Sequence, residues 1–259
     1  MRYLILSDIH GNLDALEAVL ADAETLRYDG VLMLGDLVGY GAEPAGVMAR
    51  TFALPPTFMI RGNHDKVCAG LETPAFFNDM ARASIEWTAG QLSDDERQRL
   101  ADLPQGPVEV DENVMICHGA PFDEDFYVFD ADDAAQALAA ATRRICLFGH
   151  THVPAAFTRT EDPLVRTPDL AEDELSWPNE GPALINVGSV GQPRDGDPRA
   201  AYGLLDDVRR TIRLRRVGYD IAAAQAKITA IGKPRATTRR IAWNTHTGAS
   251  ILLITTSAT

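Results

Sequence analysis

Five of the six histidines in this 259-residue chain stand in four short motifs: Ser7-Asp8-Ile9-His10-Gly11-Asn12, Gly62-Asn63-His64-Asp65, Cys117-His118-Gly119 and Gly149-His150-Thr151-His152. Gly35-Asp36 lies between the first two. Imidazole nitrogens, carboxylates and a carboxamide are the donors that a divalent transition metal takes, and this ordered set holds enough of them for a pair of ions. Asp8 and His10 are two residues apart, so at a strand end both side chains point to one side and can share an ion, with Gly11 letting the backbone come close. His150 and His152 repeat that spacing. Asp36 has two oxygens and can bridge two cations. Asn63 and His64 are adjacent and do not easily serve the same ion; the pair makes sense if Asn63 ligates through its carbonyl oxygen while His64 faces a substrate.

Each motif alone also has an ordinary reading. Asp8 and Asp36 suit hydrogen-bonded turns after strands, Gly62 to Asp65 suits a turn with a half-exposed histidine, and His118 suits a satisfied core or edge position. Their occurrence together is the stronger observation, because independent turns would not collect one ligand chemistry.

The positioning elements are legible as well. Apolar runs of strand length precede the motifs: Tyr3 to Leu6, Val31 to Leu34, Thr57 to Ile60, Val114 to Cys117 and Ile145 to Phe148. They are continuous rather than alternating, which predicts strands covered on both faces, and ligands that all follow strands gather at one edge of a sheet. Asn12 caps a predicted helix carrying Leu13, Leu16, Val19 and Leu20, and Ser93 to Glu96 has capping-box spacing. A third helix is predicted to open at Asp130, Asp132 and Asp133 and to close on Arg143 and Arg144. Strands are expected near Ala155 to Thr160, Ala183 to Val187, Ala201 to Leu205 and Thr211 to Val217, the last as a half-exposed antiparallel edge. The polar, Pro-rich stretch from Glu161 to Pro182 reads as an exposed loop. Ile221 to Ile231 reads as a closing helix. Residues 1–232 are expected to form one domain and 233–259 a C-terminal tail, either disordered or paired elsewhere.

A formal net charge of −13 and a pI near 4.8 argue against nucleic acid and anionic membranes as unaided partners. Cys68, Cys117 and Cys146 are too few and too scattered for a disulfide framework or a thiolate metal site, and read as reduced thiols. No run approaches the length of a membrane span or a signal segment, so the expected location is cytoplasmic. Phe122, Phe126, Tyr127 and Phe129 read as ordinary packing, with a wall for an aromatic or nucleoside leaving group as the alternative.

The ordered set of D-x-H, G-D, G-N-H-D, H and G-H-T-H resembles the calcineurin-like metallophosphoesterase superfamily. Asn186-Val187-Gly188-Ser189-Val190-Gly191-Gln192-Pro193-Arg194-Asp195 resembles its small bacterial and archaeal phosphodiesterase branch. The resemblance implies an α/β fold, a four-layer α/β/β/α sandwich of two packed mixed β-sheets flanked by helices, with the metal site at the strand ends. It implies two divalent metal ions per chain, with Asp8, His10 and His152 on one, Asn63, His118 and His150 on the other, and Asp36 between them. Donors of this kind without thiolates suit Mn, Fe, Zn, Ni or Co. His64 matches the family's catalytic histidine, which protonates the leaving oxygen or stabilises charge on the phosphoryl group.

One departure narrows the expectation. The family's protein phosphatases read G-D-x-V-D-R-G, whereas this chain reads Gly35-Asp36-Leu37-Val38-Gly39-Tyr40-Gly41, so their acid and phosphate-binding arginine are Gly39 and Tyr40 here. Arg194 is the candidate to bind phosphate in their place; its alternative is a surface salt bridge with Asp195 or Asp197. The resulting expectation is a metal-dependent hydrolase of small phosphoesters, a phosphodiesterase or phosphatase. The alternatives are a nucleotide or phosphoprotein phosphatase of the same superfamily and a non-catalytic scaffold.

Overall fold

A computed structural model describes residues 1–55, 57–158, 164–166, 174–176 and 181–232. Among them the chain forms strands β1 (Arg2–Leu6), β2 (Gly30–Met33), β3 (Thr57–Met59), β4 (Val108–Glu109), β5 (Val114–Ile116), β6 (Ile145–Phe148), β7 (Ala155–Thr158), β8 (Leu164–Arg166), β9 (Glu174–Ser176), β10 (Ala183–Asn186), β11 (Ala200–Asp206) and β12 (Thr211–Val217). The helices are α1 (Leu13–Ala23), α2 (Pro44–Thr51), α3 (Asn63–Cys68), α4 (Asp79–Ala89), α5 (Asp94–Ala101), α6 (Ala131–Ala140) and α7 (Ile221–Ala230), with a 3-10 turn at Pro74–Phe76.

The strands make two six-stranded mixed sheets, ordered β3-β2-β1-β11-β12-β9 and β4-β5-β6-β10-β7-β8. Successive residues of each strand face opposite layers, which explains the continuous apolar runs. Tyr3 and Ile5 of β1 meet Ile145 and Leu147 of β6 in the core between the sheets. Leu4 and Leu6 turn the other way, onto Leu16, Val19 and Leu20 of α1. On the far side, Cys146 and Phe148 of β6 pack on Ala134, Ala137 and Leu138 of α6. Helix, sheet, sheet, helix is the expected four-layer sandwich, and each fully buried Leu or Ile in it contributes roughly 1.5–3 kcal/mol.

The topology also explains where the motifs gather. β1, β2 and β3 run parallel in the first sheet, and β5, β6 and β10 run parallel in the second. The segments leaving their C-terminal ends therefore emerge along a common edge, the place where open α/β sheets bind ligands. Main-chain hydrogen bonds knit these segments together: Asp8 N–H to Gly35 O, His10 N–H to Asp36 O, Gly149 N–H to His118 O and Val190 N–H to Ser7 O.

Local signals held at the helix starts. Asn12 accepts from the N–H of Ala15 at the head of α1, and Ser93 and Glu96 form the capping box of α5. Three expectations need correction. Helix α6 stops at Ala140 rather than reaching Arg143 and Arg144, because Ala141 turns extended to enter β6, and Arg143 instead pairs with Glu109. The stretch expected to be a loop carries β8 and β9; Leu175 between Glu174 and Ser176 is an apolar residue at strand spacing, buried while its neighbours are exposed. As a result β12 is not an edge along its first half, since Thr211 to Arg213 pair with β9. The tail from residue 233 onward lies outside the described residues. The three cysteines are free and buried, and no helix among the described residues is long and apolar enough to cross a membrane.

Candidate metal centre

Six of the eight residues singled out as ligands or catalyst carry their side chains into two adjoining buried groups at the shared sheet edge, and the other two, Asn63 and His64, stand beside them. Asp8, His10, Asp36 and His152 form one group with ligand atoms within 4.8 Å of one another; Asp36, His118 and His150 form the other. Asp36 belongs to both. Its Oδ2 lies 3.4 Å from His10 Nε2 and 3.5 Å from His118 Nε2. His152 Nε2 is 3.3 Å from Asp8 Oδ1, and Asn63 Oδ1 is 3.2 Å from His118 Nε2.

The backbone at these residues is unusual. Asp8, His10, Asp36, His150 and His152 all have positive φ, between 51° and 66°. Among the described non-glycine residues only Arg210 shares this conformation. Left-handed backbone at a branched or ring-bearing residue is strained, and such strain collects at functional sites. His150 and His152, two apart, enter different groups rather than sharing the face that their spacing suggests, which agrees with the separate placement the family resemblance implies.

Carbonyl oxygens fix the imidazoles. Nδ1 of His10 faces Val38 O at 3.2 Å, Nδ1 of His118 faces Leu34 O at 2.7 Å and Nδ1 of His152 faces Gln192 O at 2.6 Å. His150 is reversed, with Nε2 on Asp125 O at 3.2 Å and Nδ1 turned inward. A carbonyl accepts, so each of these ring nitrogens carries the proton and the inward nitrogen presents its lone pair. The inward nitrogens of His10 and His152 are only 3.1 Å apart, and those of His118 and His150 3.2 Å.

Electrostatics match that donor geometry. Burial holds His10, His150 and His152 well below the ordinary histidine value, and so neutral. Burial would also raise Asp36, but His118, His64 and His10 outweigh it and keep the carboxylate ionised. Burial pushes Asp8 up to about 7 against the pull of His118. His118 goes the other way: burial is outweighed by the Asp36 carboxylate, which raises it to about 10, so the charge that would attract a metal also attracts a proton. Converging lone pairs around two buried carboxylates, whose ion-pair partners are histidines alone, fit a divalent cation.

His64 is the second residue of α3 and is buried. Its backbone N–H donates to Asp36 Oδ1 at 2.9 Å, and its ring meets His10 at 4.7 Å, Tyr40 at 4.7 Å and Phe77 at 5.1 Å. Gly39 is the reason it fits. A Cβ there would stand 2.6 Å from His64 Nδ1 and 2.9 Å from His10 Nδ1, at a φ of +136°. The acid of the protein phosphatases is therefore not merely absent; His64 fills the room that its side chain would need.

His64, Asp36, Asn63, His150, His152, Tyr40, Tyr127 and Arg194 all line one cleft of about 450 Å³. Arg194 forms neither of the acid pairs weighed for it: Asp195 pairs with Arg216 and Asp197 with Arg199, while Arg194 donates to Gln192 Oε1 at 2.8 Å. Of the aromatic cluster, Phe126 packs against the outer core as expected, but Tyr127 lies on His150 with ring centroids 3.7 Å apart.

Sequence reasoning missed the supporting shell. Asp65 is fully buried and accepts N–H groups of Gly62, Leu37 and Val38, binding the segment that carries His64 to the one that carries Asp36; burial and Asp36 push it up to about 7. Ser7 donates to Asp8 Oδ2 at 2.6 Å and Ser189 to Asp8 O at 2.8 Å. Asn186 donates to Gly149 O and Thr151 Oγ1. For Ser7 and Asn186 the available signal was position, a polar residue at the end of an apolar strand; Asp65 inside α3 and Ser189 in the loop after β10 carried no such signal.

A two-sheet α/β sandwich with a buried imidazole and carboxylate centre at its strand ends defines a class, that of metal-dependent hydrolases. The profile of the calcineurin-like phosphoesterase superfamily domain matches residues 1–209, and the chain belongs to that family of metal-dependent phosphoesterases. It is 33% identical over 229 residues to an uncharacterized protein of Methanocaldococcus jannaschii, a match covering 86% of this chain and 90% of the other. A metallophosphoesterase from Sphaerobacter thermophilus superposes with a TM-score of 0.84 at 38% identity, covering 93% of this chain and 98% of that one. A hypothetical protein from Pyrococcus horikoshii OT3 shares the fold, with a TM-score of 0.76 at 18% identity over 93% of this chain and 97% of its own.

Proposed function

We propose that this chain is a phosphoesterase with a dinuclear metal centre acting on small phosphoesters, with phosphodiesters as the preferred class. The single observation that carries the proposal is that two buried ligand groups share Asp36 while His64 and Arg194 line the same cleft. Asp8, His10 and His152 would hold one ion and Asn63, His118 and His150 the other, with Asp36 between them. Ions so held supply an activated water and neutralise charge on the phosphoryl oxygens. The choice among Mn, Fe, Zn, Ni and Co is open to all five on donor chemistry.

The remaining steps belong to side chains. Arg194 offers a planar guanidinium to phosphoryl oxygens, and the Gln192 carboxamide holds it. His64 donates a proton to the leaving oxygen, a role for a histidine positioned by packing against His10 and Tyr40. Gly39 and Tyr40, where protein phosphatases have an acid and an arginine, disfavour phosphoprotein as substrate and support the diester preference.

The test is turnover of an aryl phosphodiester, an aryl phosphomonoester and a nucleotide panel with added Mn, by wild type, Asp36→Asn and His64→Ala, alongside metal analysis. Diester turnover lost in both variants and two bound ions per chain are expected. Undiminished turnover in both variants, or fewer than two ions under saturating metal, would sink the proposal.

A further inference from the structure

The cleft has a second end whose composition says what part of a substrate it takes. Two cleft-lining aromatics, Phe76 and Tyr127, keep solvent-exposed surface there. Phe76 closes the 3-10 turn between α3 and α4, is 89% exposed and lines the cleft. Tyr127, between β5 and α6, also lines the cleft, and its other neighbour is Phe129, stacked at 5.2 Å and 4°, itself 64% exposed. Rings left in water around a concave site are a ligand surface rather than a core.

The charge of that end is equally informative. Lys66 is nearly buried and is already surrounded by carboxylates: Glu72 at 2.6 Å, Glu124 at 3.1 Å and Asp125 at 2.6 Å. Arg61 joins Glu124 at 3.3 Å. Three acids against two cations leave this end acidic, and its one cleft-lining cation is spoken for. A second phosphate would be repelled there, whereas an uncharged or protonated ring would not. The volume of about 450 Å³ is that of a site for one small organic ligand, which typically needs roughly 300–1,000 Å³.

We infer that the substrates are esters of a single phosphate whose alcohol carries a planar, uncharged or cationic aromatic ring, as in a nucleoside ester, with the ring seated on Phe76 and Tyr127. The inference rests on the phosphoesterase reading above, because it takes the phosphoryl group to lie at the histidine and aspartate centre.

Two ester pairs isolate the ring: adenosine 5′-monophosphate against ribose 5-phosphate, and the methyl diesters of both. Within each pair the reacting phosphate and the ribose oxygen are the same, and only the base differs. In metal-loaded wild type the kcat/KM ratio within the hydrolysed pair should favour the base by about tenfold or more, the scale of one stacked base. Phe76→Ala should reduce that ratio about tenfold and Phe76→Trp should restore it. A wild-type ratio near one, or a ratio unmoved by Phe76→Ala, overturns the ring site while hydrolysis itself stands. Calorimetric binding of the same esters covers the converse: a tenfold preference for the base without turnover keeps the ring site and removes the hydrolase reading. Tighter binding of adenosine 5′-diphosphate than of the monophosphate would overturn the charge argument.

Discussion

The two ends of the cleft are built on opposite plans. At the candidate metal end the side chains are buried and locked: Asp8 and His118 have no exposed surface, the imidazoles rest on main-chain carbonyls, and five of the candidate ligand residues hold a left-handed backbone. At the ring end Phe76 stands in solvent and the charges are long side chains paired with one another. Chemistry needs atoms fixed within fractions of an ångström, and main-chain hydrogen bonds on sheet ends supply that. Recognition of a variable organic group tolerates movable side chains, so exchanging residues there should tune rates rather than abolish them.

The sharpest way to break this contrast is at Asp36, the carboxylate common to both ligand groups. Asp36→Asn keeps the shape and removes the charge that His10 and His118 face. Metal content should fall and turnover should drop by at least about a hundredfold, the upper range for losing even a residue behind the ligands. Turnover within a few-fold of wild type in a variant with reduced metal would show that the two groups do not act together.

Gly39→Ala tests rigidity without replacing a candidate ligand. The added methyl meets His64 Nδ1 at 2.6 Å and His10 Nδ1 at 2.9 Å, at a φ that only glycine adopts freely. Strain of about 1–3 kcal/mol is expected, with kcat reduced about a hundredfold through misplacement of His64. Denaturant unfolding and kcat together check it; a stable variant with unchanged kcat would mean that the locked end has slack.

Asp65→Asn comes next. Its two oxygens accept three backbone N–H groups, and an amide nitrogen in place of one oxygen would oppose a donor with a donor. The expected loss is about 1–3 kcal/mol of unfolding free energy, read as a lower denaturation midpoint at unchanged slope.

How much of this was visible in the sequence follows the same division. The candidate ligands could be read because each is a metal-donor residue within a few positions of the end of an apolar strand, and the strands because both of their faces are buried, as at Leu4 against Ile5. Three things could not be read. The imidazoles of His150 and His152 rest on different segments, at Asp125 O and Gln192 O, and enter different groups, so a two-residue spacing wrongly suggested a shared face. Asp65 looked like the end of a motif because its partners Leu37 and Val38 are far away in sequence. The strands β8 and β9 are three residues long, and their polar, Pro-containing surroundings outweigh one buried leucine. Local chemistry marks which residues matter; the long-range hydrogen bonds decide how each is turned.

The gentlest prediction sharpens the comparison at the ring end. Lys66→Met removes the cation between Glu72, Glu124 and Asp125 while keeping the bulk of its stem. Glu124 is the buried acid of the three, and it retains Arg61 at 3.3 Å, so the variant does not strand an uncompensated buried charge. A loss of about 1–2 kcal/mol is expected, less than the 3–5 kcal/mol of a broken buried pair, with turnover lowered less than about tenfold. The pH dependence has a definite sign. Burial lowers the Lys66 value, but its bonds to Asp125, Glu72 and Glu124 outweigh that and raise it above the ordinary lysine range. A raised lysine stabilises the fold in full below its unfolded value of about 10.4 and loses that contribution only as pH climbs through the higher folded one. The stability difference between wild type and Lys66→Met should therefore be flat between about pH 6 and 9 and shrink only in stronger alkali. A difference that already shrinks near neutral pH would mean that Lys66 is not held charged by its acids, and their negative charge would then be less compensated than the ion pairs imply.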